Sequence, residues 1–146
     1  MSTIERAIEI AVSAHKGQKD KSGNAYILHV MQVMLKGKTN EEKIVGALHD
    51  VVEDTDWTFE LLKKEGFSED ILAALRCVTK LSDEEDYDAF TERVKANPLA
   101  IRVKINDLES NMDLTRLTQA KEEDIKRFNK YLKAYRDLIQ LRGKGN

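Results

Sequence analysis

The segment ALHDVVEDT, at positions 47–55, combines apolar side chains with one histidine and three carboxylates that could bind a metal ion. On a helix, His49 stacks with Glu53 and Asp50 stacks with Asp54, because residues four apart lie on one face. The neighbouring pair His49 and Asp50 can also reach one ion together. Burying such charges costs several kcal/mol unless they are paired or bind a metal. The segment is therefore either an amphipathic surface helix or part of a metal site.

Two further segments carry side chains of the same chemistry. His29 lies among apolar residues in AYILHVMQVM, and Asp107 follows an apolar run in VKINDLESNMDL. Taken singly, the first is typical of a core histidine and the second of a helix end. Together, the two histidines and two carboxylates of the three segments suit a borderline-hard divalent ion such as Mn²⁺, with positions left open for water and substrate oxygen. The candidate ligands are His29, His49, Asp50 and Asp107.

Glu53 and Asp54 would lie beside such an ion without being needed as ligands. That is the position of a general acid or base, or of a residue that orients an attacking water. The set contains no thiolate, which argues against a closed structural zinc site. The single cysteine, Cys77, excludes an internal disulfide and favours a reducing, cytoplasmic location. It lies in an apolar helical stretch, where we expect a buried thiol.

The composition predicts one domain over positions 1–146. Hydrophobic residues make up 41% of the 146 residues and charged residues 34%, as in ordinary globular proteins. The net charge of −2 argues against nucleic-acid binding, and no apolar run approaches the length of a membrane span. The N-terminal segment is typical of a helix rather than of a signal peptide. Positions 119–146 carry eight Lys/Arg against four Asp/Glu, which fits either a compact anion such as a nucleotide or a solvated helix face.

Helical periodicity and capping residues predict an all-α fold of about seven or eight helices. Ser2 with Glu5, and Thr39 with Glu42, form possible capping boxes. Pro98 suits the first position of a helix. No convincing strand or repeat is present. The predicted helices cover 4–15, 26–35, 40–54, 58–66, 68–81, 88–96, 98–112 and 121–141, with fraying expected at 142–146.

Three stretches of the sequence resemble a known family. They are AHKGQKDKSGNAYILH at 14–29, LHDVVEDT at 48–55 and VKINDLESN at 103–111. The chain is similar to the HD-domain metal-dependent phosphohydrolases, and within them to the hydrolase domain of the bifunctional RelA/SpoT alarmone enzymes and the small alarmone hydrolases. The resemblance covers nearly the whole chain, in order and at compatible spacing. A lone HD doublet would be weak, whereas the three stretches together are specific.

The resemblance implies an HD-domain helical bundle and a hydrolase-only type of protein, without synthetase or regulatory domains. The implied reaction removes pyrophosphate from the 3′ position of guanosine tetra- or pentaphosphate. The implied partner is a small nucleotide, and a homo-oligomer is compatible with the family. Fe²⁺ or Zn²⁺ could replace Mn²⁺ on the same ligands. The implied roles are metal ligation by His29, His49, Asp50 and Asp107, and action on the attacking water by Glu53 and Asp54.

Substrate contacts follow from the same resemblance. The loop with Lys21 and Ser22 would approach the base, and Asn111 would position the nucleotide or a ligand carboxylate. Arg127 and Tyr131 lie four apart on one helix face, and an arginine is well shaped for phosphate, although an exposed arginine beside a packing tyrosine explains the pair equally well. Further phosphate candidates are Lys80 and Lys104, although a solvated helix residue explains Lys104 equally well.

The sequence departs from the family pattern at three positions. Asp20 stands where relatives carry an arginine near the guanine base, and Ala25 and Val30 replace prolines. An acid near the base leaves a second substrate class open: an adenosine alarmone such as pApp or ppApp, the phosphorylated dinucleotide NADPH, or a nucleoside phosphate. A non-catalytic nucleotide sensor is a third hypothesis. Neither the candidate ligands nor Glu53 are lost, which disfavours the sensor.

Overall fold

The computed structural model describes residues 2–142, and within that range the chain is all-α, as predicted. An isolated bridge between Lys19 and Ala25 is the one β-type pairing in the described part. A 3₁₀ turn, Leu114–Arg116, precedes the last helix. The helices are α1 (Ile4–Ala14), α2 (Tyr26–Lys36), α3 (Asn40–Leu48), α4 (Val51–Asp54), α5 (Phe59–Lys64), α6 (Glu69–Val78), α7 (Tyr87–Val94), α8 (Pro98–Asn111) and α9 (Glu122–Ile139).

Most helices begin at a residue whose side chain caps them, but one predicted capping box is wrong. Thr39 and Glu42 form the predicted capping box before α3, and Pro98 begins α8. The predicted box of Ser2 with Glu5 is wrong, because Thr3 is the N-cap of α1 and accepts from the backbone N–H of Arg6 at 3.2 Å. The N–H of Ser2 instead donates to the carbonyl of Gly66. That bond fixes the entry of the chain to the turn after α5.

The predicted single helix over 40–54 is broken at the HD doublet. Helix α3 ends at Leu48, α4 begins at Val51, and Asp50 between them has φ −109° and ψ 0°. Nδ1 of His49 donates to the carbonyl of Gly46 at 2.6 Å, the acceptor that a continuing helix would offer to the N–H of Asp50. The predicted stacking of His49 with Glu53 is therefore interrupted, whereas Asp50 and Asp54 stay one helical turn apart, since the N–H of Asp54 donates to the carbonyl of Asp50 at 3.0 Å. The break, not one helix face, presents the doublet.

Helix α3 lies at the centre of the fold and packs against α1, α2, α6 and α8. Its approach to α2 is close, since a Cβ on Gly46 would meet the Cα of Met34 at 3.1 Å. One apolar cluster joins these helices, and it includes Leu48, Leu72 and Leu108 at no more than 1% exposure. Close packing of this kind holds its members in one arrangement. It therefore fixes α2, the α3–α4 break and α8 relative to one another.

Along residues 2–142, no helix combines the length and the apolar character that crossing a membrane requires.

Candidate metal centre and active-site pocket

The four predicted metal ligands come together from three elements. His29 lies on α2, His49 and Asp50 lie at the α3–α4 break, and Asp107 lies on α8. Ligand atoms of His29, His49 and Asp50 are all within 4.8 Å of one another. Oδ1 of Asp107 lies 3.0 Å from Nε2 of His29 and 3.3 Å from Nε2 of His49. The cluster could hold a divalent metal ion.

Each imidazole is oriented by a hydrogen bond from its other nitrogen. Nδ1 of His29 lies 3.0 Å from the hydroxyl of Ser110, whose own proton goes to Oε1 of Gln32 at 2.7 Å. The hydroxyl oxygen therefore accepts from Nδ1–H. Nδ1–H of His49 donates to the carbonyl of Gly46. In the neutral form, each Nε2 then carries a lone pair facing Asp107, as metal-binding histidines held by such partners do.

The donor set fits a cation. Nε2 of His49 is buried and has no hydrogen-bond partner among the described residues, although Oδ2 of Asp50 lies 2.9 Å away. Burial lowers the pKa of His49, but the carboxylates of Asp50 and Asp107 outweigh it and raise that pKa well above its ordinary value. Lone pairs and carboxylate oxygens thus converge on one buried spot. A positive charge at this spot, from a proton or a metal ion, stabilises the buried carboxylates.

Lys104 lies beside this cluster and is paired with it. Its ammonium is 2.7 Å from Oδ2 of Asp107 and 5.0 Å from the ring centre of Phe90. Burial raises the pKa of Asp107, yet Lys104 and His49 hold it well below its ordinary value. Asn111 also donates to Oδ1 of Asp107, at 3.0 Å. The predicted substrate residues Lys104 and Asn111 therefore both contact a candidate metal ligand.

The predicted catalytic pair lies on the one-turn helix α4. Oε1 of Glu53 accepts from the backbone N–H of Lys80 at 2.9 Å, and Oδ2 of Asp54 accepts from Nε2 of Gln18 at 3.3 Å. The pKa of each carboxyl is raised, mainly because protein atoms displace water around it, with a smaller contribution from Asp50. Raised carboxyl pKa values favour proton transfer near neutral pH.

A pocket of about 430 Å³ opens beside the cluster. Asp50, Glu53 and Asp107 line this pocket, whereas Asp54 does not. Aromatic side chains form part of the wall. All six residues predicted to bind substrate line the pocket, and Lys80 lines it as well. The six are Lys21, Ser22, Lys104, Asn111, Arg127 and Tyr131.

Several side chains at the site were not predicted from the sequence. Tyr26 donates its O–H to Oδ2 of Asp50, and Ser110 orients His29. Lys130 and Arg116 add cations to the pocket lining. Tyr26 falls within the first matching stretch, so its position was available as an indication. Lys130 lies in the basic segment 119–146, which was a weaker indication, whereas Arg116 had none, because only the packing of the chain directs it into the pocket.

Asp20, the departure from the family pattern, is engaged in the structure. Its Oδ1 accepts from the N–H groups of Ser22 and Asn24, each at 2.9 Å. Its Oδ2 lies 3.2 Å from Nη1 of Arg116. The acid therefore shapes the loop and is paired with a guanidinium across the pocket wall. The negative charge of Asp20 at the pocket is therefore paired.

The helical fold and the buried histidine–carboxylate cluster define an HD-type helical domain with a candidate metal site. No family model matches the chain. The chain is 35% identical over 120 residues to the guanosine-3′,5′-bis(diphosphate) 3′-pyrophosphohydrolase of Aquifex aeolicus, over 75% of this chain and 17% of that relative. It is 42% identical over 85 residues to the enzyme of that name from Borreliella burgdorferi, over 56% of this chain and 13% of the relative.

A GTP pyrophosphokinase of Streptomyces coelicolor is 29% identical over 152 residues, covering 96% of this chain and 18% of the relative. The chain thus spans less than a fifth of these curated relatives. A solved structure of a metazoan ortholog of SpoT, described as hydrolysing ppGpp, has the same fold. It matches with a TM-score of 0.78 at 24% identity, over 94% of this chain and 85% of that one. The chain belongs to the RelA/SpoT-type HD hydrolase domains.

Proposed function

We propose that this protein is a metal-dependent hydrolase that removes pyrophosphate from the 3′ position of guanosine tetra- or pentaphosphate. The observation that carries the proposal is one pocket that joins the histidine–carboxylate cluster and Glu53 to a set of cations. The relatives named as 3′-pyrophosphohydrolases support the same reaction. We propose Mn²⁺ as the ion, with Fe²⁺ or Zn²⁺ as alternatives on the same donors, and a cytoplasmic location.

The cations favour a substrate with phosphate groups at both ends. Within residues 2–142, no carboxylate forms an ion pair with the pocket lysines Lys21, Lys80 and Lys130. The pKa of Lys130 is lowered, first by burial and then by repulsion from other pocket cations, Lys80 foremost. Arg127 is held by Asp124 at 2.6 Å, which fixes its side chain at the pocket. A polyanion would relieve this repulsion.

The proposed roles divide the chemistry between the metal cluster and Glu53. His29, His49, Asp50 and Asp107 would hold the divalent ion, which supplies Lewis acidity at the scissile phosphate and makes water easier to deprotonate. Glu53 accepts the proton of the attacking water at Oε2, because Oε1 is occupied by the Lys80 N–H. The bond from phosphorus to the 3′-oxygen breaks as water adds. Glu53 returns its proton to the departing 3′-oxygen.

Glu53→Gln tests the proposed base. The amide cannot accept the proton, so we expect kcat to fall by about a hundredfold or more. Mn²⁺ affinity should stay near wild type, because Glu53 is not among the proposed ligands. Steady-state kinetics and a metal titration measure the two quantities. Wild-type kcat in this variant would exclude Glu53 as the base.

Lys130→Ala tests whether a pocket lysine contacts substrate phosphate. Lys130 lies 4.7 Å from the ring centre of Tyr87 and has no acidic partner among the described residues. We expect KM to rise about tenfold, equivalent to about 1.4 kcal/mol of binding free energy, with a smaller change in kcat. Lys126→Ala is the matched control, since Lys126 is exposed on the same helix and does not line the pocket. Equal KM values for the two variants would contradict a phosphate contact at Lys130.

The substrate assignment is tested by pyrophosphate release in the presence of Mn²⁺. Guanosine tetraphosphate and its adenosine counterpart are compared side by side, with NADPH as a third compound. We expect the guanosine compound to be preferred, because Asp20 is already paired with Arg116. Release from the adenosine compound alone would assign Asp20 a role in base selection. No release from any compound would contradict the proposal and favour a nucleotide sensor.

A further inference from the structure

A buried histidine outside the metal cluster is connected to the catalytic pair. His15, at the end of α1, is 1% exposed, and its Nδ1 lies 2.8 Å from Oε1 of Gln18. The Gln18 oxygen can only accept, so Nδ1 carries the proton. Nε2 of Gln18 in turn donates to Oδ2 of Asp54 at 3.3 Å. One continuous path of donors therefore runs from His15 through Gln18 to Asp54.

Packing alone does not explain a histidine here. Nε2 of His15 is buried and has no hydrogen-bond partner in the part of the chain that the structure describes, which costs free energy that an apolar side chain of similar size would avoid. The ring does pack against Tyr26, with ring centres 5.3 Å apart, but an apolar ring would pack as well. Among residues 2–142, the side chain of His15 makes one hydrogen bond, to Gln18. What histidine adds over an apolar residue is this one donor.

Gln18 is fixed at its backbone and adjustable at its side chain. Its N–H donates to the carbonyl of His15 at 3.0 Å, and its carbonyl accepts from the N–H of Tyr26 at 2.9 Å. Its amide could rotate by half a turn and would then present oxygen to the carboxylate of Asp54. A proton on Nδ1 of His15 opposes this rotation, because it requires the amide oxygen on its own side, just as the Asp54 carboxylate requires the amide N–H.

We propose that His15 is a positioning residue that holds the Gln18 amide with its N–H toward Asp54, and so orients the carboxylate of Asp54. The inference rests on the proposed hydrolase function, in which Asp54 would act with Glu53 on the attacking water. Tyr26, which packs on the ring of His15, donates to Asp50. The same buried layer thus supports both a candidate ligand and a candidate catalytic acid, as outer contacts of metal sites do.

The experiment combines His15→Asn, His15→Leu, Gln18→Leu and the double variant His15→Leu/Gln18→Leu. The asparagine amide replaces the Nδ1–H donor, and leucine removes it. We expect kcat to fall about tenfold in each leucine variant with KM within about twofold, and the double variant to lose no more than either single one. His15→Asn should recover most of the loss. Gln119→Leu, exposed and outside the pocket, is the control for loss of a glutamine.

A second readout does not depend on turnover. The NMR resonances of the Gln18 side-chain amide should shift in His15→Leu and stay near wild type in His15→Asn. This separates failure of the inference from failure of the hydrolase function, which wild-type protein reports. Wild-type kcat in Gln18→Leu, or additive losses in the double variant, would overturn the inference. An unchanged Gln18 amide resonance in His15→Leu would overturn it as well. Because Gln18 is partly exposed, Gln18→Leu tests the inference even where His15→Leu fails to fold.

Discussion

Asp50→Asn is expected to abolish turnover and to weaken Mn²⁺ binding. The substitution keeps the shape of the side chain but removes one of the two carboxylate charges in the cluster, where ligand atoms of His29, His49 and Asp50 lie within 4.8 Å of one another. If the ion contributes several kcal/mol to the transition state, its loss lowers kcat by about a thousandfold or more. Steady-state kinetics at saturating Mn²⁺ and a calorimetric metal titration measure the two effects.

The matched control is Asp56→Ala, which removes an exposed acid six residues along the same segment. It should leave both the kinetics and the metal titration unchanged. The account is contradicted if Asp50→Asn binds Mn²⁺ as wild type does, or if it turns over substrate at the wild-type rate. A loss of both with an unchanged thermal unfolding curve supports a direct role of Asp50 at the ion.

The second large effect is on stability. Asp107→Ala leaves the buried ammonium of Lys104 without its partner at 2.7 Å. Removing one partner of a buried ion pair destabilises strongly, so we expect the free energy of unfolding of the metal-free protein to fall by about 3 kcal/mol. Urea unfolding in the presence of a chelator measures it. Asp88→Ala removes the exposed partner of Lys133 and should change the stability little.

The double variant Lys104→Met/Asp107→Leu separates charge from packing. Both charges are removed together, and the methionine keeps the contact with the rings of Tyr87 and Phe90. We expect it to recover at least about half of the stability lost in Asp107→Ala, because apolar side chains of similar volume replace buried ion pairs at little cost. A double variant less stable than Asp107→Ala would show that packing, not the unpaired ammonium, causes the loss.

Helix positions were predictable because their causes are local. Thr39 with Glu42, Thr58, Ser68 and Pro98 each begin a helix as their side chains predict. Capping bonds join residues only three positions apart, so the sequence contains all of the information they need. The fold class follows from the same local patterns repeated along the chain.

The geometry of the HD doublet was not predictable in this way. The pattern of apolar residues around it is continuous with α3 and predicts one helix, yet the imidazole of His49 takes the carbonyl of Gly46 and the helix ends at Leu48. A side chain that competes with the backbone leaves no trace in periodicity. What brings the doublet to His29 and Asp107 is the packing of α2 and α8 against α3, which is tertiary.

Some contacts of the substrate residues are local in sequence and were predictable, whereas others depend on tertiary packing. Arg127 and Tyr131 share a face of α9, as their spacing predicts, and both line the pocket. The pairing of Arg127 with Asp124 is equally local, at a spacing of three. By contrast, the pairing of Asp20 with Arg116 joins residues distant in sequence. Only the folded chain shows that Asp20 is neutralised at the pocket wall.

The central claim is that the cluster of His29, His49, Asp50 and Asp107 holds an ion on which turnover depends. The most direct test is pyrophosphate release from guanosine tetraphosphate by protein stripped of metal with a chelator and titrated with Mn²⁺. The account predicts no turnover in the stripped protein and full recovery as one Mn²⁺ per chain is added. Undiminished turnover in the metal-free protein would contradict it.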